Sequence, residues 1–274
     1  MVDFALNHMA TPSLPLEEFL RAAGELGVEA VELRNDLPGI ALADGAPTAE
    51  VRAAVSRSGM RVLSINALQR FNEWTPEREA EARALARQAA EVGAEALVLC
   101  PVNEEGWRAE GSRRHESLVE ALRGLSPILR EAGLIGLVEP LGFAECSLRR
   151  KADAVAAIDE AGAADRFKLV HDTFHHVVAG EREIFPARTG LVHISGVEDG
   201  AVPVDAMRDP HRVLVGPGDR LDNTGQMRAL VEGGYRGAFS FEPFAREVAE
   251  SDDPVRDLRA SMTHVASALE GADA

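Results

Sequence analysis

An alternation of two kinds of segment restricts the fold of this chain more than any single motif does. Apolar stretches of strand length recur over Phe4–Met9, Ala30–Asn35, Arg61–Leu68, Ala96–Pro101, Leu134–Glu139, Phe167–Asp172, Leu191–Ser195 and Gly237–Phe241. Between them lie segments with helical periodicity, such as Leu16, Phe19, Leu20, Ala23 and Leu26, or segments rich in helix formers, such as Glu77–Val92. Further helices are predicted over Ala49–Ser58, from the Asn103–Gly111 loop to Ala132, and over Lys151–Ala161, Asn223–Glu232 and Pro254–Leu269. Gly27, Gly93 and Gly133 stand where helices must end. The crossover near Glu181–Pro186 is short and weakly marked.

Strands joined through helices run parallel, and eight such units with no linker-like break predict a single (β/α)8 barrel over residues 1–274. An open doubly wound sheet would carry a glycine-rich turn after its first strand. Asn7-His8-Met9-Ala10-Thr11-Pro12 contains no glycine.

Charge narrows the partners. With 45 acidic against 29 basic residues, the chain has a formal charge of −16 and repels phosphate backbones and anionic lipid surfaces. Nucleic acid and membrane are therefore not expected as partners. Cys100 and Cys146 are too few for a disulfide framework, and no basic leader or membrane-length apolar run is present, so a soluble cytoplasmic protein is expected. Homo-oligomerisation is left open.

In a barrel of this kind the chemistry sits at the carboxyl ends of the strands. There the sequence places Glu139, Asp172, His193 and Glu242, at the ends of the fifth, sixth, seventh and eighth strands, each after an apolar run. Neighbouring strands lie about 4.8 Å apart, so these side chains can converge on one ion. Three carboxylates and an imidazole suit one divalent metal ion, Mn²⁺, Co²⁺, Mg²⁺ or Zn²⁺, with open coordination positions. His171 has the opposite strand phase to Asp172 and is expected to pack or hydrogen-bond behind the wall. His175 follows Asp172 by three residues and is placed to reach a substrate oxygen, whereas His176 reads equally well as a solvated loop residue. Lining the other half of the cavity falls to His8, Asn35, Asn66, Phe71 and Trp74, unless these are ordinary packing.

The stretches Phe4-Ala-Leu-Asn-His-Met9, Val31-Glu-Leu-Arg-Asn-Asp36, Leu137-Val-Glu-Pro-Leu-Gly-Phe143, Phe167–His176, Val192-His-Ile-Ser-Gly196 and Asp209–Val215 carry a resemblance along nearly the whole chain. It resembles the xylose-isomerase-like superfamily of sugar isomerases and epimerases, with the inosose isomerases as its nearest branch. The resemblance implies a metal bound by Glu139, Asp172, His193 and Glu242, with Glu139 and Glu242 also acting as acid and base. It implies that His175 and Arg212 hold substrate oxygens, and it aligns Glu145 with a substrate-binding glutamate of ketose epimerases. The implied reaction is a carbonyl shift on a keto-inositol, within inositol catabolism.

A small neutral polyol or ketose is favoured as substrate because Asp205, Asp209 and Asp219 dilute the charge of Arg208, His211 and Arg212. The same parts serve a ketose 3-epimerase or an inosose dehydratase. An abasic-site endonuclease shares the barrel but requires more histidine ligands and a basic surface.

Overall fold

The computed structural model describes residues 2–39, 42, 44–107 and 111–270. The predicted loop over Asn103–Gly111 therefore lies partly outside the described residues, as does part of the loop after the second strand. Eight parallel strands close into a barrel in sequence order: β1 Phe4–Asn7, β2 Ala30–Arg34, β3 Arg61–Gln69, β4 Ala94–Cys100, β5 Ile135–Val138, β6 Phe167–Asp172, β7 Thr189–Ile194 and β8 Phe239–Phe241. Closure is through β1 and β8, with Phe4, Ala5 and Leu6 opposite Phe239, Ser240 and Phe241. The architecture is a single (β/α)8 TIM barrel.

The crossovers are α1 Leu16–Glu25, α2 Thr48–Ser58, α3 Pro76–Val92, α4 Gly111–Ala132, α5 Lys151–Glu160, α6 Thr173–Val178 and α7 Asn223–Glu232. A short α8, Arg246–Ala249, and α9, Pro254–Glu270, follow the last strand. Local chemistry explains the boundaries. Thr75 caps α3 with its side chain, Pro76 starts the helix, and Gly93 ends it at φ 86°. Among the described residues, no helix is long and apolar enough to cross a membrane.

The crossover after β6 differs from the expectation. Its helix begins directly at Thr173, well before Glu181–Pro186, because Asp172 Oδ1 accepts the backbone N–H of His175 at 2.8 Å and caps it. His175 and His176 are thus helical and buried, and His176 is not a solvated loop residue.

Period two along the strands separates two apolar layers. Leu97, Leu99, Val138, Leu169, Val192 and Ile194 pack outward against the helices in the main core. The intervening Ala96, Val98, Leu137, Val170 and Leu191 form a separate cluster inside the barrel, with Ala5, Ala30 and Ala238 in a smaller one. Two residues further along each strand stand Cys100, Glu139, Asp172, His193, Asn7, Glu32 and Ser240, all buried. A polar layer therefore rests on an apolar one. His171, one residue out of phase, faces the helices as expected and bonds through Nε2 with Gln226 Oε1 at 2.8 Å. Burial pushes its pKa down to about 3.

The loop after β5 is tied to α6 by a close approach at Gly142, whose N–H donates to His175 Nδ1 at 3.2 Å. A Cβ there would collide with the His175 carbonyl oxygen and stand 2.7 Å from Ala179 N. Gly142→Ala should therefore destabilise the protein by about 1–3 kcal/mol, since backbone must move to admit it. An unchanged urea midpoint would contradict this packing.

Candidate metal centre

The polar layer acquires its geometry from the barrel's register. Asp172 lies opposite His193, and His193 lies opposite Ser240. Glu139 follows β5, its N–H donating to Leu99 O of β4, and Glu242 follows β8, its N–H donating to Ile194 O of β7. The two glutamates thus remain strand-like and point inward. One ligand atom from each of Glu139, Asp172, His193 and Glu242 lies within 4.8 Å of the others, and all four residues are buried.

His193 is the hub. Its Nδ1 lies 2.9 Å from Glu139 Oε1, 3.2 Å from Glu242 Oε2 and 4.0 Å from Asp172 Oδ2. Burial alone would push its pKa down, but Glu242, Glu32 and Glu139 outweigh that and hold the ring protonated well above the usual imidazole range. The carboxylates respond in the opposite sense. Burial raises the Glu242 carboxyl, yet His193, Arg212 and Arg34 together bring it far below the ordinary value. Burial likewise raises the Asp172 carboxyl, and Arg212 and His175 bring it down.

Arg212 is the second cation of the cluster. Its Nη2 donates to Asp172 Oδ2 at 2.6 Å and to Glu242 Oε2 at 3.1 Å, and its Nε donates to Ser195 Oγ at 3.0 Å. The Phe244 and Phe174 rings flank the guanidinium at 4.5 and 5.1 Å. His175 is 4% exposed and packs edge-on to Phe143 and Phe174. Because its Nδ1 accepts from Gly142, Nε2 carries the proton of the neutral ring.

A cavity of about 480 Å³ opens above the cluster, lined among others by Glu139, His175, Arg212, Glu242, Asn66 and Arg34. Glu145 is half-buried in the loop after β5 and lies outside this lining. His8, Asn35, Phe71 and Trp74 also lie outside it. His8 stacks on Phe19 at 4.0 Å, Phe71 is fully buried, and Trp74 packs against α4 at Gly124. His8, Phe71 and Trp74 thus serve packing, and Asn35 donates through Nδ2 to Ala67 O at 3.3 Å.

A model of the xylose isomerase-like TIM barrel family matches residues 20–267. The chain belongs to this family. No curated protein matches it in sequence. Among solved structures, a xylose isomerase domain-containing protein from Salmonella typhimurium LT2 is 36% identical, with 98% of this chain and 97% of that one covered at a TM-score of 0.88. The IolI protein with a bound zinc atom is 20% identical, with 97% and 98% covered at a TM-score of 0.86. A D-psicose 3-epimerase from Clostridium cellulolyticum H10, solved with D-tagatose, is 16% identical, with 98% and 99% covered at a TM-score of 0.74.

Two charged residues of β2 enlarge the site beyond the four strand ends. Arg34 donates through Nη1 to Glu242 Oε1 at 3.0 Å and grips Asp36 through Nε and Nη2 at 2.8 and 2.7 Å. Glu32, fully buried, faces His193 Nε2 at 3.2 Å. The signal for both was the strand Ala30-Val-Glu32-Leu-Arg34, whose alternation puts Glu32 and Arg34 in one row above interior Ala30.

The donor set of hard oxygens and one imidazole, buried and mutually close, fits a divalent cation. Since His193 holds a proton at neutral pH, a cation that takes its Nδ1 must displace that proton. Titration of chelator-treated protein with Mn²⁺ or Zn²⁺ should release protons and show affinity falling as pH falls, by up to about tenfold per unit. Affinity that does not change between pH 8 and 6 would contradict ligation by His193.

Proposed function

We propose that this chain is a metal-dependent isomerase that moves the carbonyl of a neutral keto-polyol to the adjacent carbon. The substrate class is a keto-inositol, with 2-keto-myo-inositol converted to 1-keto-D-chiro-inositol. One observation carries the reading: two glutamates stand at the two ends of an arc of four potential ligands, under a cavity of sugar-accommodating size. A divalent ion held by Glu139, Asp172, His193 Nδ1 and Glu242 supplies Lewis-acid stabilisation for negative charge developing on the substrate's oxygens.

The chain's own groups do the rest. One glutamate removes the proton from the hydroxyl-bearing carbon beside the carbonyl, which leaves an enediolate spread over two carbons and two oxygens. The other returns a proton to the former carbonyl carbon. The hydroxyl proton moves to the former carbonyl oxygen, so the new carbonyl stands one carbon along. His175, through its Nε2–H, and Arg212 hold substrate oxygens and fix which carbon faces which carboxylate.

Charge pairing supports a neutral substrate. Each arginine in the lining is already engaged by carboxylates: Arg34 by Asp36 and Glu242, Arg70 by Glu73 and Glu104, and Arg212 by Asp172, Asp209 and Glu242. A phosphate would have to break such pairs to be bound, whereas hydroxyls can share their remaining hydrogen bonds.

The test is proton NMR of products formed from 2-keto-myo-inositol in D2O by Mn²⁺-loaded protein, the reaction being quenched and the paramagnetic metal removed before spectra are acquired. The chiro isomer carrying one solvent deuterium is expected, with turnover abolished by chelator. Glu242→Gln should lower the rate by about 10²–10⁴-fold while the fold is kept. A product lighter by one water would assign a dehydratase. Inversion at one carbon of an open-chain ketose, with no reaction of the inosose, would assign an epimerase.

A further inference from the structure

Glu32 lies outside the cavity lining, yet its carboxylate is fully buried and held from three strands. Its Oε1 accepts from Ser240 Oγ at 2.5 Å and Asn7 Nδ2 at 3.4 Å. Its Oε2 accepts from Ser64 Oγ at 2.6 Å and Asn66 Nδ2 at 2.9 Å. The donors come from β1, β3 and β8. Register arranges them: Asn7 lies opposite Glu32, and a slip in the β2–β3 ladder after Val31 brings Ser64 opposite it on the other side. Both oxygens also lie 3.2 Å from His193 Nε2.

This frame settles the ring's protons. Amide N–H groups can only donate, and the hydroxyls have turned theirs toward the carboxylate, so Glu32 acts as an acceptor toward every neighbour and presents lone pairs, but no hydrogen, to Nε2. The His193 nitrogen facing β2 must therefore bear hydrogen. The other nitrogen, Nδ1, faces Glu139, Asp172 and Glu242. A neutral imidazole has one N–H, and a metal ion needs a bare nitrogen.

We infer that Glu32 is a positioning residue that holds the His193 proton at Nε2 and thereby presents the Nδ1 lone pair to a cation shared with Glu139, Asp172 and Glu242. This rests on the metal-dependent reading above. It adds to that reading a residue that touches neither substrate nor ion. Without Glu32 the ring is free to carry its proton at Nδ1, pointing at the ion position, or to rotate out of register. Glu32→Gln has the same shape but removes the charge and replaces one of the two acceptor oxygens by an amide N–H₂ set among donors, which it repels.

The test uses zinc, which is diamagnetic, with protein carrying ¹⁵N-labelled histidine. In the zinc-loaded wild type, the His193 signals, identified by their loss in His193→Gln, should show a protonated Nε2 and a metal-bound Nδ1. Zinc affinity, measured by competition with a chromogenic chelator, should fall by about 10–100-fold in Glu32→Gln. Glu32→Asp, which keeps the charge, should recover part of that loss. A wild-type spectrum with the proton at Nδ1, or with zinc on Nε2, overturns the inference whether or not the variants fold. Folded Glu32→Gln with unchanged zinc affinity and unchanged tautomer overturns it too. A wild type that binds no zinc removes the metal reading itself, a result distinct from the other two.

Discussion

Convergence of buried negative charge is the constraint on which the rest of this structure depends. Glu32, Glu139, Asp172 and Glu242 are all buried at one end of the barrel, around a single imidazole. Two like charges 4.8 Å apart repel by about 3 kcal/mol at the effective dielectric of a protein site. A few such pairs equal a large part of the about 5–15 kcal/mol by which a domain is stable. Positive charge must therefore be built in. Protonated His193 at the centre, Arg212 across Asp172 and Glu242, and Arg34 against Glu242 provide it. A divalent cation held at the same point would do so more compactly and would release the His193 proton and the Arg212 donors for other partners.

The barrel makes that convergence unavoidable once the sequence is set. Interior positions alternate with helix-facing ones, so each polar residue two places beyond an interior Leu, Val or Ala is forced to look down the barrel axis. The apolar layer beneath excludes water from below, and the cavity above leaves one open side. Asp172 shows how tightly roles are shared. One of its oxygens caps α6 and so places His175 at the cavity, while the other takes Arg212.

Much of this was legible in the sequence because strand phase and strand order are one-dimensional properties. The eight apolar segments become the eight strands, and Glu139, Asp172, His193 and Glu242 meet because consecutive strands are neighbours in a parallel barrel. Other features depend on three-dimensional choices that spacing does not encode. Alternation puts Glu32 and Arg34 on one face of Ala30–Arg34 but does not say which face turns inward; in the barrel, pairing with β1 sets Glu32 opposite Asn7, on the interior side. From their place after strands His8 and Trp74 read either as cavity lining or as packing, and the fold decides for packing: a 3-10 turn folds His8 back onto Phe19, and the neighbouring helix draws Trp74 against Gly124. The onset of α6 was hidden because its cap, Asp172, is also the last residue of a strand.

On the reading proposed above, Glu139, Asp172, His193 and Glu242 form one cation site at the barrel mouth. Anomalous diffraction from a crystal soaked in Mn²⁺ and recorded at a wavelength that identifies manganese tests it most directly. One strong peak is expected within about 2.3 Å of carboxylate oxygens from Glu139, Asp172 and Glu242 and of Nδ1 of His193. A fully soaked crystal with no peak there, and with Arg212 still bridging Asp172 and Glu242, would contradict it.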